Sequence, residues 1–103
     1  MKVLRSSHFS KWLSALKDTR AKARINARIL QIQHYGKLQG DWKSLGEGLY
    51  ELRFHFGPGY RVYLAFEGGF WLLLLAGGTK TSQARDIKKA RAIEADWRKH
   101  HES

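Results

Sequence analysis

Cysteine is absent from this chain of 103 residues, and proline and methionine occur once each. The lack of cysteine excludes a disulfide scaffold, a thiol nucleophile and a thiolate metal site, and it fits a reducing cytoplasm. The longest apolar run, residues 70–76, is far shorter than the roughly 20 residues that span a bilayer. The N-terminal residues MKVLRSSHF lack the apolar core of a signal peptide. We therefore predict a cytoplasmic protein with no membrane partner.

Acidic residues are also scarce, with nine aspartates and glutamates against nineteen lysines and arginines and a net charge of +10. The excess is uneven, since residues 1–36 carry eight basic residues and only Asp18 as an acid, whereas residues 37–77 are balanced. Such a charge attracts polyanions, which include nucleic acid, an anionic membrane surface and an acidic protein. A basic surface that serves only solubility is the alternative.

Hydrophobic residues make up 43% of the chain, which indicates a folded protein and not a disordered tail. Because a chain of this length encloses one modest core, we predict a single domain over residues 1–103. A short strand is predicted over residues 2–5. Apolar residues then recur at intervals of three and four, as they do on one face of a helix, first over residues 9–16 and then over residues 21–32.

The second of these helices is predicted over residues 19–35, where Asp18 or Thr19 can cap its start. The short break between the two helices implies a helical hairpin. On a face away from the apolar stripe, basic residues recur every four positions. This basic stripe consists of Arg20, Arg24 and Arg28.

Residues 49–76 predict three consecutive strands. Apolar and polar residues alternate from Leu49 to Phe56 and from Tyr60 to Phe66, as expected of strands with one buried face. Gly57-Pro58-Gly59 is the first turn and Gly68-Gly69 the second. Residues 70–76 are apolar throughout, which indicates a strand that is central or covered on both sides.

The remaining segments are predicted as connections and a last helix. Residues 37–48 are polar and contain glycine, and we expect Trp42 in this connection to pack back on the core. Gly77-Gly78 should end the third strand, and Thr81 or Ser82 can cap the final helix. The order is then β-α-α-β-β-β-α. This is an α+β fold with a mainly antiparallel sheet, a helical hairpin packed on its apolar face and a C-terminal helix.

Polar side chains are expected to meet on one face of the three strands. Residues two apart in a strand point the same way, so Arg53 and His55 share a face, as do Arg61 and Tyr63. The turn brings the two pairs together on the face opposite the core. Two neighbouring arginines favour the binding of an anion such as phosphate, because one guanidinium group can donate two parallel hydrogen bonds to phosphate oxygens. A surface ion pair with Glu51 is the structural alternative.

These residue types suit the cleavage of RNA. The 2′-hydroxyl beside a phosphodiester can attack it without a metal ion, and the phosphorane that forms needs fixed positive charge, which Arg53, Arg61 and a lysine can supply. His55 is a candidate general base or acid, because histidine changes charge near neutral pH. Tyr63 is a candidate for stacking on a base or donating a hydrogen bond. The five histidines show no metal-ligand spacing beyond a terminal pair, so we predict no metal and no cofactor.

The runs GDWKSLGEGLYELRFHFGPGYRVYL and LLLLAGGTKTSQARDIKKA resemble the RelE/ParE toxin superfamily, and within it the HigB-like addiction module killer proteins. The resemblance extends from Phe9 to about Trp97. It implies a compact toxin that is encoded beside a neutralising helix-turn-helix antitoxin, which alone would contact operator DNA. Many members of the superfamily are ribosome-dependent endoribonucleases that cut mRNA.

The resemblance also implies roles for individual residues. Arg53 and Arg61 match the strand arginines of the family, and Tyr63 matches the aromatic residue that follows the second of them. Lys80 matches the lysine after the glycine pair, and Lys43 matches the lysine of the GD-x-K loop. The candidate catalytic residues are Arg53, Arg61, His55, Tyr63 and Lys80, and the candidate RNA-binding residues are Lys43, Arg20, Arg24 and Arg28.

Two other functions stay open at this point. Toxins of the ParE type share the fold and poison DNA gyrase without cleaving nucleic acid, so the strand arginines need not be catalytic. The third possibility is a plain RNA- or DNA-binding module. The combination of Arg53, Arg61 and Lys80 favours the nuclease, whose partners would be mRNA, the ribosome and the antitoxin. An acidic antitoxin segment can engage the basic stripe, although a solvated helix face explains that stripe equally well.

Overall fold

The structure is a computed structural model that describes residues 1–101. It confirms the α+β fold class, with a five-stranded sheet and three helices among these residues. The first strand and the second helix have the same bounds in the structure as in the prediction. The elements are β1 (Lys2–Arg5), α1 (Ser7–Ala15), α2 (Thr19–Tyr35), β2 (Trp42–Gly46), β3 (Leu49–Arg53), β4 (Tyr60–Glu67), β5 (Trp71–Thr79), a short 3₁₀ helix (Lys80–Ser82) and α3 (Gln83–His101).

The sheet has the strand order β1-β5-β4-β3-β2, in which β1 is parallel to β5 and the other pairs are antiparallel. The prediction of a strandless connection over residues 37–48 was therefore wrong, because β2 pairs with β3. This edge strand is exposed at most of its positions and lacks the alternation that marks a half-buried strand. Trp42 is 43% exposed and stacks edge-on against Tyr50 instead of entering the core.

The helical hairpin packs on one face of the sheet, as predicted. Phe9 of α1 and Ile25 and Ile29 of α2 meet Leu52 and Val62 in one buried cluster. The helices begin at side-chain caps, since the Ser6 hydroxyl accepts a hydrogen bond from the amide of Phe9 and the Asp18 carboxylate accepts one from the amide of Ala21. Gly36, with φ near +70°, ends α2 in the left-handed conformation that glycine adopts most readily.

The opposite face of the sheet is not open along its whole length, because α3 covers part of it. Leu49, Tyr63 and Leu73 form a second buried cluster with Ala90 of α3. The prediction placed the helical hairpin on the apolar face of the strands and left the opposite face of β3 and β4 open, although it expected residues 70–76 to be central or covered on both sides. It missed this second layer because β4 alternates between two sets of side chains that are both large enough to pack, and β5 is apolar on both faces.

The glycine pair Gly77-Gly78 lies inside β5, which continues to Thr79. The prediction that this pair ends the third strand was therefore wrong. A side chain on Gly77 would overlap the ring of Trp12 on one face, and a side chain on Gly78 would overlap the carboxylate of Asp86 on the other. These glycines therefore let α1 and α3 approach the strand closely.

No helix among residues 1–101 combines the length and the apolar composition needed to cross a bilayer.

Replacing Gly77 with alanine should lower the free energy of unfolding by about 1–3 kcal/mol, because the Trp12 ring is held between Phe9 and Tyr60 and has to be displaced. Urea denaturation measures this loss. Gly68→Ala is the matched control, since its new methyl group would make only ordinary contacts with Phe66. Equal stability of Gly77→Ala and the wild type would contradict the tight packing described here.

Candidate functional site

Strand register places the two strand arginines side by side. Arg53 of β3 lies directly opposite Arg61 of β4, and Glu51 lies opposite Tyr63 on one side and Lys43 of β2 on the other. Lys80 follows the end of β5, and β5 pairs with β4. The sheet therefore brings residues from four separate segments of the chain to one end of its α3-covered face.

An open cleft of about 700 Å³ lies at this end of the sheet. Its walls include the Gly57-Pro58-Gly59 turn, Glu51 and Gln83. The structure thus gathers four of the five candidate catalytic residues and one of the candidate RNA-binding residues around a single space. The basic residues and the histidine that line it are Lys43, Arg53, His55, Arg61 and Lys80.

Glu51 is the counter-charge beneath the two arginines. Its side chain is 3% exposed, and its Oε1 atom lies 3.8 Å from Nε of Arg53 and 4.0 Å from Nε of Arg61. The amide of Gln83 donates a 3.0 Å hydrogen bond to the other carboxylate oxygen. Arg61 is itself 5% exposed and donates to the carbonyl of Tyr60. One buried carboxylate thus limits the repulsion between the arginines, and two lysines leave the cleft positive.

His55 projects from the end of β3, which stops at Arg53 and not at Phe56 as predicted. Its Nε2 atom forms a hydrogen bond with the carboxylate of Asp41. The other oxygen of that carboxylate lies 3.7 Å from Nε of Arg53. The bond to His55 holds the pKa of Asp41 below its ordinary value, and the charge of Arg53 acts in the same direction.

Asp41 is the acidic residue of the GD-x-K loop, but the sequence analysis assigned a role only to Lys43 of that loop. Only the pairing of β2 with β3 brings it beside His55, fourteen residues later. Glu51 was recognised only as the acidic member of an ion pair, because alternation placed it on a polar face. The burial of Glu51 depends on α3 and on its residue Gln83, which lies 32 residues later in the sequence.

Tyr63 does not lie in the cleft. It is fully buried between the sheet and α3, whereas we expected it on an open face. Its hydroxyl has no hydrogen-bond partner among residues 1–101. Burial raises the pKa of Tyr63, and the negative charge of Glu51 adds to the effect. This placement does not test its predicted catalytic role, but a contact with substrate would require the hydroxyl to move out of its buried position.

The basic stripe of α2 is not a uniform solvated face. Arg28 lies 4.0 Å above the Phe54 ring and donates a 2.8 Å hydrogen bond to the carbonyl of Arg53, and burial lowers its pKa. Arg24 lies 4.5 Å above the Phe56 ring. Both line a second cavity, of about 390 Å³, which shares the side chains of Arg53, His55 and Phe56 with the cleft.

The third member of the stripe, Arg20, is exposed on the first turn of α2, outside both cavities. Within the described part of the chain, no three histidine, aspartate or glutamate side chains are arranged to hold a metal ion.

Residues 11–98 match the protein family described as "Phage derived protein Gp49-like (DUF891)". The chain belongs to this Gp49-like family. The Gp49-like family is part of the RelE/HigB-type toxin group, and it is associated with toxins of the endoribonuclease type. An uncharacterized protein of Haemophilus influenzae is 51% identical to the chain over 85 residues, which cover 82% of this chain and 84% of the relative. The resemblance to the RelE/ParE superfamily is thereby confirmed at the level of this toxin group.

The Gp49-like match contains every residue that lines the cleft. The cleft therefore lies within the part of the chain that matches the family.

Replacing Glu51 with glutamine should lower the free energy of unfolding by about 1–3 kcal/mol, because both arginines lose their buried counter-charge while Arg53 stays partly screened by solvent. Chemical denaturation measures the loss. Glu47→Gln removes a carboxylate that is paired with Arg91 at the surface and should change the stability by less than about 0.5 kcal/mol. A Glu51 variant as stable as the Glu47 variant would contradict the role of Glu51.

Replacing Tyr63 with phenylalanine should reduce the loss of stability at high pH. In the unfolded chain tyrosine ionises near pH 10, about its ordinary value, whereas the buried hydroxyl keeps its proton to higher pH. The folded state therefore holds one more proton above about pH 10, and the free energy of unfolding falls as the pH rises.

Urea denaturation of the wild type and Tyr63→Phe at about pH 8 and about pH 11 checks this expectation. The wild type should lose more stability than the variant between the two pH values. Tyr60, whose pKa is also raised by burial, is present in both proteins, so their difference reports Tyr63 alone. Parallel losses would show that the Tyr63 hydroxyl ionises freely in the folded protein.

Proposed function

We propose that this Gp49-like protein is the toxin of a type II toxin-antitoxin system, a HigB-like endoribonuclease that cuts mRNA on the translating ribosome. The observation that carries the proposal is the single cleft in which Arg53, Arg61, Lys43 and Lys80 surround a histidine. Fixed cations around one space suit a phosphodiester, and a histidine beside them suits proton transfer.

The proposed reaction is the attack of a ribose 2′-oxygen on the adjacent phosphorus. The bond from the 2′-oxygen to phosphorus forms and the bond to the 5′-oxygen breaks, which leaves a 2′,3′-cyclic phosphate and a 5′-hydroxyl end. His55 accepts the proton of the 2′-hydroxyl, and the departing 5′-oxygen takes up a proton from water. Arg53, Arg61 and Lys80 stabilise the negative charge that develops on the phosphorane.

The buried position of Arg61 suits this role. Its guanidinium group is held at the floor of the cleft by the Tyr60 carbonyl and lies close to Glu51, so little reorganisation is needed as charge develops. Lys43 and Lys80 are exposed on the walls, where they can contact neighbouring phosphates. Binding made of such contacts should weaken steeply as the salt concentration rises.

The basic stripe supplies a second surface for nucleic acid. Arg20 and Arg24 are exposed on α2 and can contact ribosomal RNA while the cleft meets the messenger. The proposed protein partner is the helix-turn-helix antitoxin, an acidic segment of which would cover this surface in the cytoplasm. Operator DNA would be reached only through that antitoxin.

Arg61→Ala should abolish most cleavage, with a fall in rate on the order of 10²–10³, because a fixed charge at the developing phosphorane is lost. The measurement is cleavage of a defined mRNA on purified ribosomes, with the new 5′ ends mapped by primer extension. Arg85→Ala, which removes an exposed arginine from α3 outside the cleft, is the matched control. Circular dichroism of both variants separates loss of chemistry from loss of fold.

Unaltered cleavage by a folded Arg61 variant would remove this residue from the mechanism. Growth arrest by the wild type without new mRNA ends would contradict the nuclease. If that arrest came with a DNA-damage response, it would favour a gyrase poison of the ParE type.

A further inference from the structure

His55 has one anchoring contact in an otherwise exposed position. Its side chain is 65% exposed and lies beyond the last residue of β3. Among residues 1–101, the ring has a hydrogen bond to Asp41 through Nε2 and none through Nδ1. Without Asp41, the ring could therefore rotate freely and exchange its two nitrogens.

Asp41 is itself held by backbone contacts that do not involve its carboxylate. Its carbonyl accepts a 2.9 Å hydrogen bond from the amide of Arg53 and a 3.4 Å one from the guanidinium of Arg28. Arg28 is in turn held by the Phe54 ring and by the carbonyl of Arg53. Gly40 permits this arrangement, since a side chain there would come within 2.8 Å of the Arg28 guanidinium carbon.

The chemistry of the pair determines which nitrogen carries the proton. An ionised carboxylate only accepts hydrogen bonds, so Nε2 of His55 has to be the donor. In a neutral imidazole, Nδ1 is then the nitrogen with an available lone pair. His55 also lines both the cleft and the second cavity, whereas Asp41 lines only the second.

We propose that Asp41 is the positioning residue of His55, which it holds in the tautomer that leaves Nδ1 as the general base for the 2′-hydroxyl. This inference rests on the nuclease function proposed above. Asp41 does not touch the reacting atoms and acts through the ring. The hydrogen bond to His55 lowers the pKa of Asp41 and so favours the ionised carboxylate.

Asp41→Asn tests the proposal, because asparagine keeps the shape and the backbone contacts but can donate a hydrogen bond to the ring and favour the other tautomer. We expect the rate of single-turnover mRNA cleavage on ribosomes to fall on the order of 10²–10⁴-fold, the contribution of general base catalysis. Binding to ribosomes should be unchanged. In a His55→Ala background the same substitution should have no further effect.

The spectroscopic measurement is the ¹⁵N NMR signature of the His55 ring, which distinguishes the two tautomers without any cleavage assay. The wild type should show the Nε2–H form, and Asp41→Asn should show an increased share of the Nδ1–H form. Asp96→Asn is the matched control. Asp96 lies 3.6 Å from His100 on the exposed surface of α3, and its substitution removes the same charge outside the cleft.

An unchanged or increased cleavage rate in Asp41→Asn would overturn the proposal and leave Asp41 as a residue that restrains Arg53. A reduced rate with an unchanged His55 tautomer would also overturn it. If the wild type itself cuts no mRNA, the proposed function fails and the base role with it, while the NMR comparison still decides whether Asp41 sets the tautomer.

Discussion

The buried carboxylate of Glu51 is the interaction on which the cleft depends. Two guanidinium groups on adjacent strands repel each other, and the largely buried Arg61 in particular requires a counter-charge. Glu51 provides it from the same face of β3, and Gln83 at the start of α3 satisfies its second oxygen. The same group of side chains therefore contributes both to the stability of the fold and to the positive potential of the cleft.

A second set of contacts connects the core to the cleft from the other face of the sheet. Arg28 stacks on Phe54, which belongs to the core under α2, and also binds the carbonyl groups of Arg53 and Asp41. The position of Asp41, and through it that of His55, therefore depends on the packing of a helix. This explains how a loop residue can be placed accurately at a site built mainly on strands.

Much of the fold could be predicted because its signals are local. The alternation in β3 and β4 and the spacing of Ile25 and Ile29 reflect burial, and burial leaves a periodic pattern. The pairing of Arg53 with Arg61 followed from a tight turn. β2 was missed because an exposed edge strand has no buried face. Tyr63 was misplaced because alternation says which residues share a face and not whether another helix covers that face.

The position of Lys43 on the short edge strand β2 has a second consequence. An unpaired strand edge offers hydrogen-bonding groups to any other chain, and natural proteins discourage this with charged side chains, short strands and bulges. β2 has five residues, a bulge between Ser44 and Gly46, and Lys43 near its start. A lysine at the wall of the cleft therefore also opposes edge-to-edge pairing of the sheets of two molecules, whatever the cleft itself binds.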